Sequence, residues 1–183
     1  MKRQIRKPKG KEINPTFFVF CEGETEEQYI GFLRSEYRLP IVIDAKIAGN
    51  RITEKYIRNY KDSKLTHPKD KAYLVYDLDA PKMLEKLLSI RNTVLLSSNP
   101  CFEFWYLLHY QDHKTFLTSS ESYQKLLLHH KGYKKGSFDN SLKKQLIEKK
   151  ITATHRAQKL KKYENPSTQL FILINGLDEV QRK

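Results

Sequence analysis

Four short apolar runs, set apart by helix-length stretches, constrain this chain more than any other feature. Phe17-Phe18-Val19-Phe20-Cys21, Ile41-Val42-Ile43, Ala72-Tyr73-Leu74-Val75-Tyr76 and Thr93-Val94-Leu95-Leu96-Ser97 are rich in β-branched and aromatic residues. Runs of that length and content read as buried strands. Between them the apolar spacing changes to a helical period: Tyr29, Phe32, Leu33 and Tyr37, then Ile52, Tyr56, Ile57 and Tyr60. Thr25 with Gln28 three residues on predicts a capping box at the first helix. Pro81 suits the first turn of a short helix through Leu88, and an aromatic helix follows from Cys101 to Tyr110. The alternation of strand and helix predicts an α/β fold, a three-layer core with a mostly parallel four-stranded sheet and helices on both faces. Beyond residue 115 only amphipathic helical stretches remain, around 120–130, 138–149, 152–163 and 169–181. The expected organisation is a basic arm over 1–15, an α/β core over 16–110, and a basic helical extension over 111–183 packed on that core.

Charge narrows the partner. The chain has 34 Lys+Arg against 21 Asp+Glu, a net charge of +13, which points to a polyanion such as nucleic acid or an anionic membrane surface. A membrane surface would need an amphipathic Trp/Phe-rich helix, which is absent, and no apolar run is long enough to span a bilayer. No signal peptide is visible. With Cys21 and Cys101 the only cysteines, a disulfide scaffold is excluded and a cytoplasmic location is expected. Between Lys131 and Lys162, eleven Lys/Arg face only Asp139 and Glu148, a local surplus of nine. Lys134, Lys135, Lys143, Lys144 and Arg156 are the candidate phosphate contacts there, and a solvated helical face is the competing reading. Tyr123, Tyr133 and Tyr163, interleaved with these bases, suit stacking on single-stranded bases.

Acidic residues are scarce, so their placement carries information. Glu22 follows the first strand directly, Asp77 and Asp79 follow the third, and Glu103 follows the fourth. In an open parallel sheet the carboxyl ends of the strands face one crevice. Carboxylates gathered there repel one another unless a hard cation neutralises them, and two or three carboxylates with waters suit Mg²⁺, with Mn²⁺ as substitute. Gly23 would let the backbone approach a ligand closely. Each residue taken alone has a plainer reading. Asp79 can cap the next helix, and Glu26 and Glu27 can complement the dipole of the first. His109 and His113 share a helix face, but no third ligand stands at zinc-binding spacing. Phe102, Trp105, Tyr106 and His109 form a stripe that reads as core, and Cys101 as small core filler.

The same residues carry a resemblance. Glu22-Gly23-Glu24-Thr25-Glu26 after an aromatic strand resembles the opening motif of the RloB family, and is similar to the Toprim domains of overcoming-lysogenization-defect nucleases. Asp77-Leu78-Asp79 looks like the Toprim D-x-D. Ser98-Asn99-Pro100-Cys101-Phe102-Glu103-Phe104-Trp105 resembles the family's S-N-P-x-F-E-x-W signature. Tyr133-Lys134-Lys135 and Asn165-Pro166-Ser167-Thr168 look like its later landmarks. The resemblance implies a Toprim-like core that binds Mg²⁺ through Glu22, Asp77 and Asp79 and acts on a phosphodiester backbone. It further implies a bacterial restriction or phage-defence setting, abortive infection included, often beside an AAA/ABC-type ATPase partner. Leu78 stands where the family more often has Arg or another polar residue, so no phosphate contact is implied from that position.

Two classes of function follow. One is a Mg²⁺-dependent, phosphodiester-cleaving nuclease acting on DNA or RNA, with Glu22, Asp77, Asp79 and Glu103 as its catalytic residues. Glu103 is then either a further ligand or a general base. The other is a non-catalytic nucleic-acid-binding or regulatory subunit that works with a partner ATPase. A topoisomerase would need a separate strand-passage domain with its nucleophilic Tyr, and a primase would need zinc or helicase-binding modules.

Overall fold

The computed structural model describes residues 13–80 and 82–182. Most of the expected arm, residues 1–12, and the first-turn position of Pro81 lie outside the described residues. The first strand, β1 (Thr16–Cys21), leads into α1 (Glu24–Tyr37), β2 (Val42–Ile47), a 3₁₀ turn at Gly49–Arg51 and α2 (Glu54–Asp62). Then come β3 (Lys71–Asp77), α3 (Met83–Leu88), β4 (Val94–Asn99) and α4 (Glu103–Tyr110). The chain continues through α5 (Ser119–His129), α6 (Asn140–Glu148), α7 (Lys150–Gln158), β5 (Ser167–Thr168) and α8 (Leu170–Gln181).

The sheet order is β2-β1-β3-β4-β5. β1 runs parallel to both β2 and β3, and β3 runs parallel to β4. The four expected strands are therefore present and parallel, but the sheet has five. β5 is antiparallel to β4, with Ser98 opposite Thr168 and Asn99 opposite Ser167. Two residues show no periodicity, so nothing in the sequence marks this strand. Side chains hold it instead: the Ser98 and Thr168 hydroxyls are 3.0 Å apart, and Ser97 Oγ donates to Gln169 Oε1 at 2.6 Å.

The pleat of β1 divides the core between two faces. Phe17, Val19 and Cys21 join Tyr73, Val75 and Leu96 in a large cluster with α1 and α4. Phe18 and Phe20 join Leu74, Tyr76 and Leu95 in a smaller cluster with Ile57 of α2 and Leu87 of α3. Helices thus cover both faces. The larger cluster also takes in Leu126, Leu142, Ala153 and Leu173, so the helical stretch after residue 115 buries its apolar faces in the same core.

α4 lies at the centre of that cluster, and every residue from Glu103 to His109 is buried. A helix apolar all round has no solvent face to offer, which is why it ends up inside. The Phe102, Trp105, Tyr106 and His109 stripe is core, as its spacing suggests. His109 packs edge-on against Trp105 at 4.8 Å, and its Nδ1–H donates to the Trp105 carbonyl at 2.9 Å.

Two local expectations fail. α1 starts two residues earlier than predicted, with Gly23 rather than Thr25 as N-cap and the Gly23 N–H bonded to Glu26 Oε2 at 3.0 Å. Thr25 and Gln28 therefore do not form a capping box. They reach across to residue 136, as described below. α3 begins with Lys82 in its N-cap position, so Asp79 does not cap it.

Burial lowers the pKa of His109 from 6.5 to about 4. A ring kept neutral in the folded chain contributes stability above 6.5, and that contribution is lost as pH falls toward 4, because only the unfolded chain takes up the proton. The slope is about 1.4 kcal/mol per pH unit. His109→Gln keeps a donor for the Trp105 carbonyl but cannot titrate. Denaturant unfolding at pH 7 and pH 5 should show the parent's advantage over this variant shrinking by roughly 2 kcal/mol; a constant difference would place the acid sensitivity elsewhere.

Candidate functional site

The sheet order places a topological switch point between β1 and β3: the chain leaves β1 toward β2 on one side, and β3 pairs on the other. Crevices open at such points, at the carboxyl ends of the strands. Glu22 continues the β1 ladder, its N–H donating to the Val75 carbonyl at 3.0 Å. Its Oε2 accepts from the Asp77 N–H at 2.9 Å, joining residues 55 apart in sequence. Leu78 N–H donates to the Ser98 carbonyl at 2.8 Å, which carries the β3 end toward β4. Glu103 then enters from the first turn of α4 and is 2% exposed.

Asp77 is half-buried as a residue, yet its Oδ1 is fully enclosed and has no hydrogen-bond partner. Burial, and then the carboxylates of Glu26, Glu22, Glu103 and Asp79, push its pKa well above the usual 3.8. Glu22 is also raised, by burial foremost, with the Asp77 N–H opposing and Asp79 adding. Glu26 is raised by burial, against its backbone hydrogen bonds, with Glu22 and Glu103 adding. Chain order and sheet topology bring Glu22, Glu26, Asp77, Asp79 and Glu103 to the same end of the sheet, and the charges of the other four act on Asp77. Asp79 is the exposed one of these acids. Glu26 is the one that sequence reasoning left as a helix-dipole partner. The available signal was its place in the first turn of a helix that begins directly after β1, which keeps it at the same end of the strand.

Gly23 sits in extended backbone, and a Cβ there would meet Glu26 Oε2 at 3.4 Å, an ordinary contact. The fold itself does not require a glycine at that position. Gly136 is different. Its φ is +70° and a Cβ would crowd Glu24 Oε2 at 3.3 Å. Thr25 Oγ1 accepts from the Gly136 N–H at 3.1 Å, and Gln28 Nε2 donates to its carbonyl at 2.6 Å. The loop after α5 is thereby latched onto the first turns of α1. That latch brings Tyr133 Oη to donate to Glu103 Oε1 at 3.1 Å and Lys135 Nζ within 3.6 Å of the same oxygen. Burial works against the Lys135 charge, but Glu103 and Asp77 outweigh it, so its pKa is raised.

The other candidate basic residues do not gather at the cluster. Lys134 is exposed beside Lys135. Lys143 lies 5.8 Å over the Phe138 ring, in a groove with Phe32, Ser35 and Arg38, toward the far end of α1. Lys144 is exposed and pairs with Glu148 at 3.8 Å. Arg156 Nη1 donates to the Leu108 carbonyl at 2.7 Å, near the C-terminus of α4. Tyr133 is 2% exposed, so its ring belongs to the core, where no base can stack on it.

Among the described residues no three His, Cys, Asp or Glu side chains stand close enough together to hold one metal ion. Carboxylate oxygens are the donor type that a hard divalent cation takes. Asp77 Oδ1 is enclosed without a partner, and burial first, then the nearby acids, raise the proton affinity of that carboxyl.

A carboxyl held up in the folded chain binds its proton more tightly there than in the unfolded chain. Its contribution to stability is present below the ordinary value of 3.8 and is lost as pH rises through the folded value. Asp77→Asn should therefore raise the metal-free melting temperature at pH 7.5 by about 2–4 °C for each kcal/mol recovered. That gain should vanish toward pH 4, and Mn²⁺ should stabilise the parent but not the variant. Differential scanning calorimetry in chelator and in Mn²⁺ checks this; a variant less stable than the parent at every pH would mean that Asp77 is not strained by its neighbours.

No curated protein matches this chain. Among solved structures, the C-terminal region of the Burkholderia pseudomallei OLD protein is similar at 15% identity with a TM-score of 0.41, the match covering 92% of this chain and 100% of that one. The profile of the RloB-like protein family matches residues 17–177, from β1 into α8, and the chain belongs to that family.

Proposed function

We propose that this chain is a Mg²⁺-dependent nuclease with a Toprim-like centre, hydrolysing phosphodiester bonds of DNA or RNA in the bacterial cytoplasm as part of a phage-defence system with an ATPase-type partner. The observation that carries the reading is Asp77: a carboxylate at the switch point of a parallel sheet, enclosed, partnerless at Oδ1, and subject to the charge of four further acids. A fold has no structural use for that arrangement, since an uncompensated buried charge costs several kcal/mol. The family's resemblance to Toprim nucleases supplies the defence setting and the partner class.

Glu22, Asp77 and Asp79 would hold the divalent ion, which when bound supplies charge neutralisation at the scissile phosphate and a more acidic water. Glu103 Oε1 is engaged by Tyr133 and Lys135, which orients the carboxylate and leaves Oε2 to accept a proton. Lys135, a flexible ammonium beside the cluster, offsets the repulsion between the acids and an incoming phosphate. Lys134 beside it adds long-range attraction.

The alternative, a non-catalytic subunit, draws on one observation: Lys135 already stands beside Glu103, so part of the acidic charge is answered within the chain. Nuclease assays on labelled DNA and RNA in Mg²⁺, Mn²⁺ and EDTA separate the two. The parent should cut only with metal, and Asp77→Asn should lose roughly 100-fold or more in rate while keeping its affinity. Equal cutting by Asp77→Asn, or binding with no cutting on any substrate in either metal, favours the subunit reading. Charge reversal at Lys134 and Lys135 should weaken binding and flatten its salt dependence more than reversal at Lys143 and Lys144, since only the first pair adjoins the cluster.

A further inference from the structure

β2 ends the sheet, and its outer side faces no other strand. Val42 N–H donates to the Pro15 carbonyl and Ala48 N–H to the Cys21 carbonyl, each at 2.9 Å. Backbone groups alternate in direction along a strand, so residues 42, 44, 46 and 48 bond β1. Ile43, Ala45 and Ile47 therefore turn their N–H and C=O groups outward, and among the described residues no other backbone group bonds them. An open edge of this kind is a template for a further strand.

The side chains along this edge are complementary to themselves. Val42, Asp44 and Lys46 lie on the face that α2 covers, where Tyr60 Oη donates to Asp44 Oδ1 at 3.0 Å and Lys64 Nζ stands 3.4 Å from Oδ2. Lys46 is exposed. An antiparallel copy centred on Ala45 sets Asp44 opposite the second copy's Lys46, Lys46 opposite its Asp44, and Ile43 opposite its Ile47. Each outward-facing residue then meets an outward-facing residue, so every outward N–H finds a carbonyl. The charged pairs fall at the non-hydrogen-bonded positions, where opposed Cα atoms come closest, about 4.5 Å apart. Other centres fail. On Asp44 or Lys46, like charges meet; on Ile43, Lys46 meets Pro40; on Ile47, Ala45 meets Gly49 of the 3₁₀ turn.

α1 repeats the pattern on the other face. Beside Ile43 and Ala45 it leaves a hollow of about 310 Å³ bordered by Glu27, Gly31 and Arg34. A Cβ on Gly31 would meet nothing within 4 Å, so packing inside the chain gives no reason for a residue that weakens a helix. A two-fold axis at Ala45 runs α1 antiparallel to its copy, which brings Glu27 toward the second copy's Arg34 across Gly31.

We propose that this chain forms a two-fold dimer through β2, the two edge strands pairing antiparallel about Ala45 into one continuous sheet. The occupant is a second copy because the acid and the base on this edge answer each other only when the strand meets its own reverse. The proposal is independent of the nuclease reading. The parallel strands of one copy run opposite to those of the other, so the two groups of acids open at opposite sides of the joined sheet.

The test is sedimentation equilibrium of the full chain over a range of concentrations, for the parent, Ala45→Pro, Lys46→Glu and Asp44→Lys. Ala45→Pro removes an N–H that bonds nothing within the copy, and an edge strand tolerates proline at such a position. The parent should sediment as a dimer. Ala45→Pro and Lys46→Glu should each raise its dissociation constant about tenfold or more, with circular dichroism unchanged. Mixing Lys46→Glu with Asp44→Lys sets acids against bases at both ends of the joint, and should restore a dimer that neither forms alone. If Asp44→Lys loses its fold along with the Tyr60 and Lys64 contacts, Ala45→Pro still decides. A parent that stays monomeric at every concentration overturns the proposal, as does a dimer that Ala45→Pro and Lys46→Glu leave intact. Two folded charge variants that stay monomeric when mixed overturn the Ala45 register.

Discussion

The parallel pairing of β1 with β3 sets two strand ends side by side that are more than fifty residues apart along the chain. The Glu22–Asp77 hydrogen bond is its local expression: a carboxylate oxygen accepts the N–H of the residue that bears the next carboxylate. β2 leaves on one side of β1 and β3 pairs on the other, which makes this the switch point at which parallel sheets open a crevice. Moving the register of β1 by one residue would turn Phe17, Val19 and Cys21 to the opposite face and carry Glu22 away from Asp77. The two apolar clusters that lock this register therefore also assemble the acidic cluster.

Placing five acids around one crevice works against folding. Glu22, Glu26 and Asp77 all hold their protons more tightly than free carboxyls, because burial and like charge penalise the ionised form. Glu103 is buried and answered by Tyr133 and Lys135, but a buried pair rarely repays its desolvation in full. The surrounding aromatic core offsets this cost. Tyr29 alone packs against Phe32, Phe102, Trp105, Tyr106 and Phe138, with ring centroids 5.6 to 6.5 Å away. A rigid, apolar foundation holds a polar edge that would not assemble without it.

The latch on Gly136 links the two parts of the chain on which function depends. Thr25 and Gln28 have the composition of a capping box, and local reasoning assigns them that role. The first turn is capped by Glu26 instead, which frees both side chains to grip a loop more than a hundred residues away. A similar substitution occurs at Asn165. Its side-chain amide donates to the Leu117 carbonyl at 2.9 Å and accepts from the Leu117 N–H at 3.1 Å, so a turn-like residue acts as a long-range clamp. Basic residues that look alike in sequence separate in the same way: Lys135 meets the cluster, while Arg156 braces the end of α4.

By itself the sequence determined the alternation of strands and helices, the four parallel strands, and the placement of Glu22, Asp77, Asp79 and Glu103 at strand ends. Those features are encoded by hydrophobic period and chain order, which are local. Tertiary structure decided that Glu22 meets Asp77, that Glu26 lies at the same end of the sheet, that Lys135 reaches Glu103, and that Ser167–Thr168 completes the sheet. None of these has a local signature. Each depends on a hydrogen bond or a charge acting between residues distant in sequence, and only the packed core brings such partners within reach.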